Sequence, residues 1–128
     1  MKVLLDTHAL LWWWTDDPQL PEAPRVLIAD PFNELLISSA TAWEVSTKYR
    51  LGKLPAAEEI AENFAALVEE SHMTPLPITI EHALRAGALE RHHRDPFDRM
   101  IIAQSQVEGA AIVTKDAAFA NYDVDLLW

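Results

Sequence analysis

The chain begins with MKVLLDTHALL (residues 1–11), a stretch that passes from an apolar run through one acid into a helical pattern. Val3 to Leu5 form a short apolar run bounded by charges, which predicts a strand over 2–6. Asp6 stands where this strand gives way to a helix that starts near Thr7. Four more short apolar runs predict strands at 34–38, 74–78, 111–115 and 124–128.

Helical patterns fill the gaps between the predicted strands. Helices are predicted near 22–30, 41–51 and 57–70, with Gly52 and Pro55 separating the last two. Two sets of apolar residues recur at helical spacing and predict buried helix faces: Ile60, Phe64, Leu67 and Val68, and Ile80, Ala83, Leu84, Gly87 and Ala88. Because strands and helices alternate, we predict an α/β fold with a mostly parallel sheet.

The composition fits one domain over residues 1–128. Apolar residues occupy 50% of the positions, which is enough for a core of its own. No run approaches the roughly 20 apolar residues that span a bilayer, and the run after Lys2 is too short for a signal peptide. We therefore expect a cytoplasmic protein that does not contact membranes. Because cysteine is absent, oxygen atoms or the five histidines would have to bind any metal ion.

Three further acids follow the pattern of Asp6, each near the start of a predicted helix. They are Glu44 in ISSATAWEVS (37–46), Asp98 in DPFDRMIIAQ (95–104) and Asp116 in AIVTKDAAF (111–119). Strand ends on one side of a parallel sheet meet in one crevice with the helix starts that follow them. We therefore expect the four acids to share one site, although they are distant in sequence.

Helix capping is a simpler explanation for each acid taken alone, since helix N-termini favour acids. Asp6 could cap the helix after it, and Asp116 could cap a short turn at residues 117–119. Thr41 and Glu44 fit a capping box, and Asp98 follows an Asp-Pro start as a first-turn acid. At any single position, capping and catalysis therefore both stay open.

The joint pattern of four converging acids favours a metal site. Clustered carboxylates repel one another in a partly dry site, and a bound divalent cation removes that repulsion. Oxygen ligands without cysteine favour Mg²⁺ or Mn²⁺ over zinc. One or two such ions can activate water and stabilise charge on a phosphoryl oxygen. The pattern therefore predicts hydrolysis of phosphodiester bonds.

The charge balance limits how such a site could hold nucleic acid. The net charge is −10, from 10 Lys and Arg against 20 Asp and Glu, which argues against a broad basic surface. The basic residues instead form two groups just beyond the site acids: Lys48, Arg50 and Lys53, and then Arg91, Arg94 and Arg99 beside His92 and His93. We predict that these groups rim the acidic crevice.

The ordered motifs resemble those of the PIN-domain ribonucleases, in particular the VapC-type toxins of toxin–antitoxin pairs. The motifs are a strand ending in Asp6-Thr7-His8, the segment from Ser38 to Glu44 followed by Lys48 and Gly52-Lys53-Leu54, Asp95-Pro96-Phe97-Asp98-Arg99 with Ile102-Ala103-Gln104, and Thr114-Lys115-Asp116. They span almost the whole chain. The resemblance implies a single three-layer PIN domain with about five short strands.

The same resemblance implies a function and a set of partners. Asp6, Glu44, Asp98 and Asp116 would bind Mg²⁺ or Mn²⁺, and Thr114 would be the small hydroxyl residue beside the last acid. The activity would be endoribonuclease cleavage that leaves 5′-phosphate and 3′-hydroxyl ends. The partners would be a cognate VapB-like antitoxin, RNA and a second copy of the toxin, with a larger toxin–antitoxin complex possible.

Several residues near the site have two interpretations. Asp95 precedes a proline, so we predict that it is an N-cap and that Asp98 is the ligand, with a smaller role at the metal left open for Asp95. His8, His92 and His93 could contact phosphate or donate protons, but a lone histidine near a site is more often structural. Lys48, Arg94 and Arg99 are expected to contact RNA, although Arg99 could instead pair with Asp98.

The tryptophans give a further expectation about packing. Trp12, Trp13 and Trp14 cannot all face one core, because neighbouring helical residues point about 100° apart. At least one of the three is therefore expected to be exposed or at an interface, whereas Trp43 is expected in the core.

Two alternative functions stay open beside the nuclease. A Mg²⁺-dependent phosphotransfer domain would require an acidic pair at the first strand end or an acid two residues after Asp6, where this chain has His8. A catalytically inactive module would keep the fold and bind RNA or a protein without cutting. A metal-dependent nuclease assay separates the inactive module from the enzyme.

Overall fold

The computed structural model describes residues 1–54 and 58–128. In chain order the elements are β1 (Lys2–Leu5), α1 (Thr7–Trp14), α2 (Glu22–Ala29), β2 (Glu34–Ser38), α3 (Ser39–Arg50), α4 (Glu58–Glu62), α5 (Phe64–Glu70), β3 (Thr74–Leu76), α6 (Ile80–Ala88), α7 (Pro96–Glu108), β4 (Ala111–Val113), a 3₁₀ turn (Ala117–Asn121) and β5 (Leu126–Leu127). Pro55 and the predicted helix start at residue 57 lie outside the described residues.

Within the described residues, five strands form one parallel sheet in the order β3-β2-β1-β4-β5. The first strand lies in the middle, with Val3 opposite Leu35 on one side and opposite Ala111 on the other. Both faces of the sheet are covered, which is why β1 is apolar at consecutive positions. The predicted α/β fold with a parallel sheet is confirmed.

Alternate side chains of β1 point into two separate cores. Val3 and Leu5 pack in a cluster with Leu10 of α1 and Ile28 of α2. Leu4 faces the opposite side and packs with residues of α7 and β4 that include Ile101, Ile102 and Ile112. The result is the predicted arrangement of three layers, with the sheet between two layers of helices.

Several element boundaries differ from the predictions. Helix α3 begins at Ser39 rather than at 41, because the Ser38 hydroxyl accepts a hydrogen bond from the Ala40 N–H at 2.9 Å. The helix predicted to run to residue 70 is divided at Asn63. Strand β3 ends at Leu76, before Pro77, which has no N–H to continue the ladder. The last strand contains only Leu126 and Leu127.

The buried face of α6 is not the predicted one. Ile80 and Leu84 are 81% and 71% exposed, whereas His82 and Ala86 are buried. The backbone N–H of His82 donates to Thr79 Oγ1 at 3.1 Å, and His82 Nδ1 accepts from the Thr79 N–H at 3.0 Å. This capping box holds the imidazole on the inner side of the first turn, so two apolar side chains of the helix face solvent.

The tryptophans also depart in part from expectation. Trp12, Trp13 and Trp14 are each half-buried and pack at the edge of the core. None of the three is fully buried or fully exposed. Trp43 is 62% exposed, and its expected place in the core was wrong. Its ring packs edge-on against Phe97 of α7, with 4.9 Å between the centroids. No described helix is long and apolar enough to cross a membrane.

Candidate active site

Asp6 is both a helix cap and a buried acid at the end of the central strand. Its Oδ1 accepts a hydrogen bond from the Ala9 N–H at 2.8 Å, so the capping role considered from the sequence is real. Only 7% of the residue is exposed. Burial raises the pKa of Asp6 and the charge of Glu44 adds to the rise, against the hydrogen bonds from Thr114 and Ala9. Capping thus occupies one of the two carboxylate oxygens.

Glu44 lies in the second turn of α3, one turn further along than the sequence pattern indicated. The capping box with Thr41 is absent because Ser38 caps the helix, and the buried Thr41 hydroxyl has no partner among the described residues. Glu44 is 2% exposed. Its Oε1 accepts a hydrogen bond from Thr7 Oγ1 at 2.6 Å, and its Oε2 pairs with Lys48 Nζ. Both oxygens of this buried carboxylate are therefore bonded.

Asp95 and Asp98 divide the roles that the sequence left ambiguous. Asp95 Oδ1 accepts from the N–H groups of Phe97 and Asp98 at 2.8 and 3.3 Å, which makes Asp95 the N-cap of α7. Asp98 Oδ2 instead lies 2.6 Å from His93 Nε2. Burial, with the nearby charges of Asp95 and Glu44, raises the pKa of Asp98 to about 6 despite the hydrogen bond from His93.

Asp116 joins the site from the other side of the central strand. Its Oδ1 accepts from the Ala118 N–H at 2.9 Å and caps the 3₁₀ turn, while its own N–H donates to Thr114 Oγ1 at 3.0 Å. Ligand atoms of His93, Asp98 and Asp116 all lie within 4.8 Å of one another. A divalent cation could be bound by this group, because nitrogen and carboxylate oxygen atoms converge on one small space.

The acids are also linked electrostatically. The charge of Glu44 raises the pKa of both Asp6 and Asp98, which ties the end of β1 to the start of α7. Strand β1 lies between β2 and β4, so the segments after these three strands open at the same sheet edge. The described part of the chain thus brings Glu44 close enough to Asp6 and to Asp98 for their charges to repel, and a bound cation would relieve that repulsion. Asp116 is the exposed member of the group.

A sequence model of the PIN domain matches residues 3–125 of the chain. The chain belongs to the PIN domain family. This membership fits the parallel sheet and the acids at its edge.

Two curated proteins of Mycobacterium tuberculosis are similar to this PIN domain. Ribonuclease VapC22 is 27% identical over 121 residues, which cover 94% of this chain and 91% of VapC22. Ribonuclease VapC16 is 37% identical over 64 residues, which are 50% of this chain and 45% of VapC16. The matched part is thus less than half of the length of VapC16.

A solved complex of VapBC2 from Rickettsia felis, bound to a DNA fragment from its promoter, contains a chain with the same fold. The TM-score is 0.71 at 18% identity, with 98% of this chain and 97% of that chain covered. At this level of identity the likeness concerns the fold alone.

The residues expected to contact RNA occupy different settings in this PIN domain. Lys48 pairs with Glu44, and its side chain is 31% exposed. Burial alone would lower the pKa of Lys48, but the hydrogen bond to Glu44 and the charges of three nearby acids raise it. Thr114 is 3% exposed between Asp6 and Asp116, and Arg94 is exposed on the loop before α7. Lys48 is therefore first of all the counter-charge of Glu44.

Arg99 has a structural role that the sequence did not indicate. Its guanidinium donates to the carbonyl oxygens of Ala86 and Leu89 at 2.9 Å, of Glu90 at 3.1 Å and of His93 at 3.2 Å. These bonds connect the end of α6 to the loop before α7. The guanidinium is thus committed to backbone oxygens, and neither predicted role, phosphate contact or pairing with Asp98, matches its contacts.

His93 is the residue whose place in the site the sequence understated. It was one of three histidines of uncertain role, and the structure separates them. His92 Nε2 contacts Glu90 at 2.9 Å, and His8 packs on Trp12 near enough to Asp6 for its charge to lower the pKa of that acid. Of these three, His93 is the one that lies with Asp98 and Asp116. The available signal was its distance of five residues from Asp98 in a loop that leads into the helix.

Proposed function

We propose that this PIN domain is a metal-dependent endoribonuclease that acts as the toxin of a toxin–antitoxin pair. The observation that supports the proposal is the coupling of Glu44 to both Asp6 and Asp98, whose pKa values are raised, together with the ligand atoms of Asp98 and Asp116, which lie within 4.8 Å of each other. The names of the similar ribonucleases VapC16 and VapC22 support the same class of reaction. The protein would act in the cytoplasm, where its RNA substrate is found.

A bound Mg²⁺ or Mn²⁺ would supply activated water and offset charge on the phosphoryl oxygens. We assign the four acids to bind it. Glu44 or Asp98 would orient the water and accept its proton. The water oxygen forms a bond to phosphorus as the bond to the 3′ oxygen breaks, and a proton goes to that oxygen. The products would carry a 5′-phosphate and a 3′-hydroxyl.

The residues around the acids have supporting roles in this proposal. Lys48 pairs with one oxygen of the buried Glu44 carboxylate, and the Thr7 hydroxyl donates a hydrogen bond to the other. Arg94 is exposed beside the acids and is assigned to an RNA phosphate. The Thr114 hydroxyl accepts a hydrogen bond from the Asp116 N–H and so fixes the backbone at Asp116. We assign Thr114 a place beside the scissile phosphate.

The experiment that tests the proposal is incubation of the purified, antitoxin-free protein with transfer, ribosomal and messenger RNA. Separate reactions contain Mg²⁺, Mn²⁺ or a chelator, and the product ends are sequenced and their phosphates mapped. We expect cleavage that the chelator and Asp98→Asn both abolish. Ends with a 2′,3′-cyclic phosphate would contradict metal-activated water, since that product requires the RNA 2′-hydroxyl as nucleophile. RNA binding without cleavage would favour the inactive module.

An apolar groove beside the acids supports binding of a VapB-like antitoxin. The groove has a volume of about 240 Å³ and is lined by residues of α3, α7 and the β3–α6 loop that include Trp43, Ile78, Phe97 and Met100. Exposed apolar patches of this kind often mark protein interfaces. We assign the groove to an apolar segment of the antitoxin.

The groove assignment is tested with Trp43→Ser. We expect weaker copurification with a VapB-like antitoxin, while Phe32→Ser, which changes a side chain that is 90% exposed in a loop, leaves it unchanged. Equal losses for both variants would reject the groove. The resemblance also implies a homodimer and larger toxin–antitoxin complexes, and light scattering of the free and antitoxin-bound protein tests these states.

A further inference from the structure

We propose that His93 Nε2 is itself a ligand of the divalent cation, together with Asp98 and Asp116, so that the centre combines nitrogen with oxygen. The inference rests on the metal dependence in the proposed function. Ligand atoms of the three residues lie within 4.8 Å of one another, and His93 Nε2 is 2.6 Å from Asp98 Oδ2. The side chain of His93 is only 18% exposed, so it faces the acids rather than solvent.

Contacts on two sides hold the imidazole in this orientation. The ring of His93 packs edge-on against Phe119, with 5.7 Å between the centroids and an angle of 70°. Phe119 is fully buried in the 3₁₀ turn that Asp116 begins. On the backbone side, Arg99 donates to the His93 carbonyl oxygen at 3.2 Å. The loop that carries His93 is thus anchored, and its Nε2 is presented to the site before any ligand binds.

His92 provides a matched contrast within the same loop. Its Nε2 contacts Glu90 at 2.9 Å, its ring packs on Tyr122, and its side chain is 43% exposed. His92 is therefore adjacent in sequence but faces away from Asp98 and Asp116. Proximity in sequence to Asp98 is therefore not sufficient to place a histidine of this loop beside the acids.

A nitrogen ligand changes which ion the centre prefers. Mg²⁺ takes oxygen ligands in a strict octahedral arrangement, whereas the divalent ions of the first transition row, of which Mn²⁺ binds least tightly, accept an imidazole nitrogen beside carboxylate oxygens more readily than Mg²⁺ does. The centre should therefore discriminate against Mg²⁺ and bind Mn²⁺ more tightly. His93 would be the residue that sets this preference, since the other assigned ligands are all carboxylates.

The alternative role for His93 is to orient Asp98 by a hydrogen bond without contacting the ion. The two roles differ in whether the bound ion senses the ring nitrogen. Pulsed electron paramagnetic resonance of Mn²⁺ in the RNA-free protein reports hyperfine coupling to a directly bound ¹⁴N, and it requires no catalytic turnover. Calorimetry on the same samples gives the affinities for Mn²⁺ and Mg²⁺.

We expect the wild-type protein with Mn²⁺ to show coupling to a single histidine nitrogen. His93→Gln should lose the coupling and bind Mn²⁺ at least roughly 10-fold more weakly, the smallest effect usual for a partner of a metal site. Its Mg²⁺ affinity should change less, and His92→Gln should match wild type in every measurement.

Each possible result decides the proposal. Mn²⁺ binding to the wild type without nitrogen coupling would overturn a ligand role for His93 and leave the metal-dependent nuclease intact. Failure of the wild type to bind Mn²⁺ at all would overturn both. The coupling is measured in the wild type, so the test stands even if His93→Gln fails to fold.

Discussion

At the scale of single residues, Asp98 makes the most direct prediction about stability. Its pKa is about 6 in the folded protein against an ordinary value of 3.8, so the folded form retains the proton to higher pH than the unfolded chain. The raised pKa destabilises the metal-free protein at neutral pH, by about 1–3 kcal/mol after allowance for partial exposure. This cost is complete above about pH 6 and vanishes below about pH 4.

Asp98→Asn removes the charge and keeps the shape, so it should make the metal-free protein as stable as wild type or more stable at pH 7. Urea denaturation in chelator at several pH values gives the free energy of unfolding of both proteins. We expect the advantage of the variant to grow between about pH 4 and 6 and then to level off. If the difference in unfolding free energy between the two proteins did not change with pH, the pKa of Asp98 would not be raised in the folded protein.

Replacement by alanine should lower the stability of the protein at Arg99 and weaken RNA binding at Arg94. Arg99→Ala removes four hydrogen bonds from a charged donor to carbonyl oxygens, and we expect a loss of about 2–3 kcal/mol in the free energy of unfolding. Arg94→Ala should leave stability unchanged but weaken RNA binding and reduce its salt slope by about one. Equal stability losses for the two variants would contradict these roles.

At the scale of elements, the N-terminus of α7 separates capping from ligation. Asp95→Ala removes the acceptor for two backbone N–H groups and should cost about 1 kcal/mol of unfolding free energy. Asp95→Asn can still cap, so it should recover most of that stability and bind Mn²⁺ almost as wild type does. If Asp95→Asn instead abolished Mn²⁺ binding, Asp95 would be the ligand and the assignment of Asp98 would need revision.

The elements also show how far the sequence predicts the fold and the site. Strands β1 and β4 were predictable because their apolar runs end in charged or polar residues, and the helix starts at Thr7 and Pro96 were marked by capping acids. The orientation of α6 was not, because its apolar spacing suggested one face while the Thr79–His82 capping box buries another. Glu44 was predicted as a site acid, but its position in the second turn of α3 was not, since α3 starts earlier than its sequence pattern indicated. The orientation of His93 could not be predicted, since a loop has no periodicity that assigns a side chain to one face.

At the scale of the whole molecule, cation binding should appear as thermal stability. The proposed site would offer a counter-ion to Glu44, Asp6 and Asp98, whose charges repel in the free protein. Binding to the folded state alone adds about 2.7 kcal/mol at a ligand concentration 100 times Kd. We therefore expect the unfolding temperature to rise steadily with Mn²⁺ in differential scanning fluorimetry. Asp98→Asn should show little of that rise. The unfolding temperature of each protein in chelator, without added metal, is the baseline.

The central position of β1 has a consequence for the protein as it is being made. Strand β1 must wait for β4, because Val3 pairs with Ala111, which is made much later in the chain. Parallel pairings between such distant segments form late, since much intervening chain must be ordered first. A nascent or prematurely terminated chain would lack Asp116 and half of the neighbours of β1. The proposed activity would thus be absent until the segment with β4 and Asp116 has been made, which leaves an interval in which an inhibitor can bind the emerging chain.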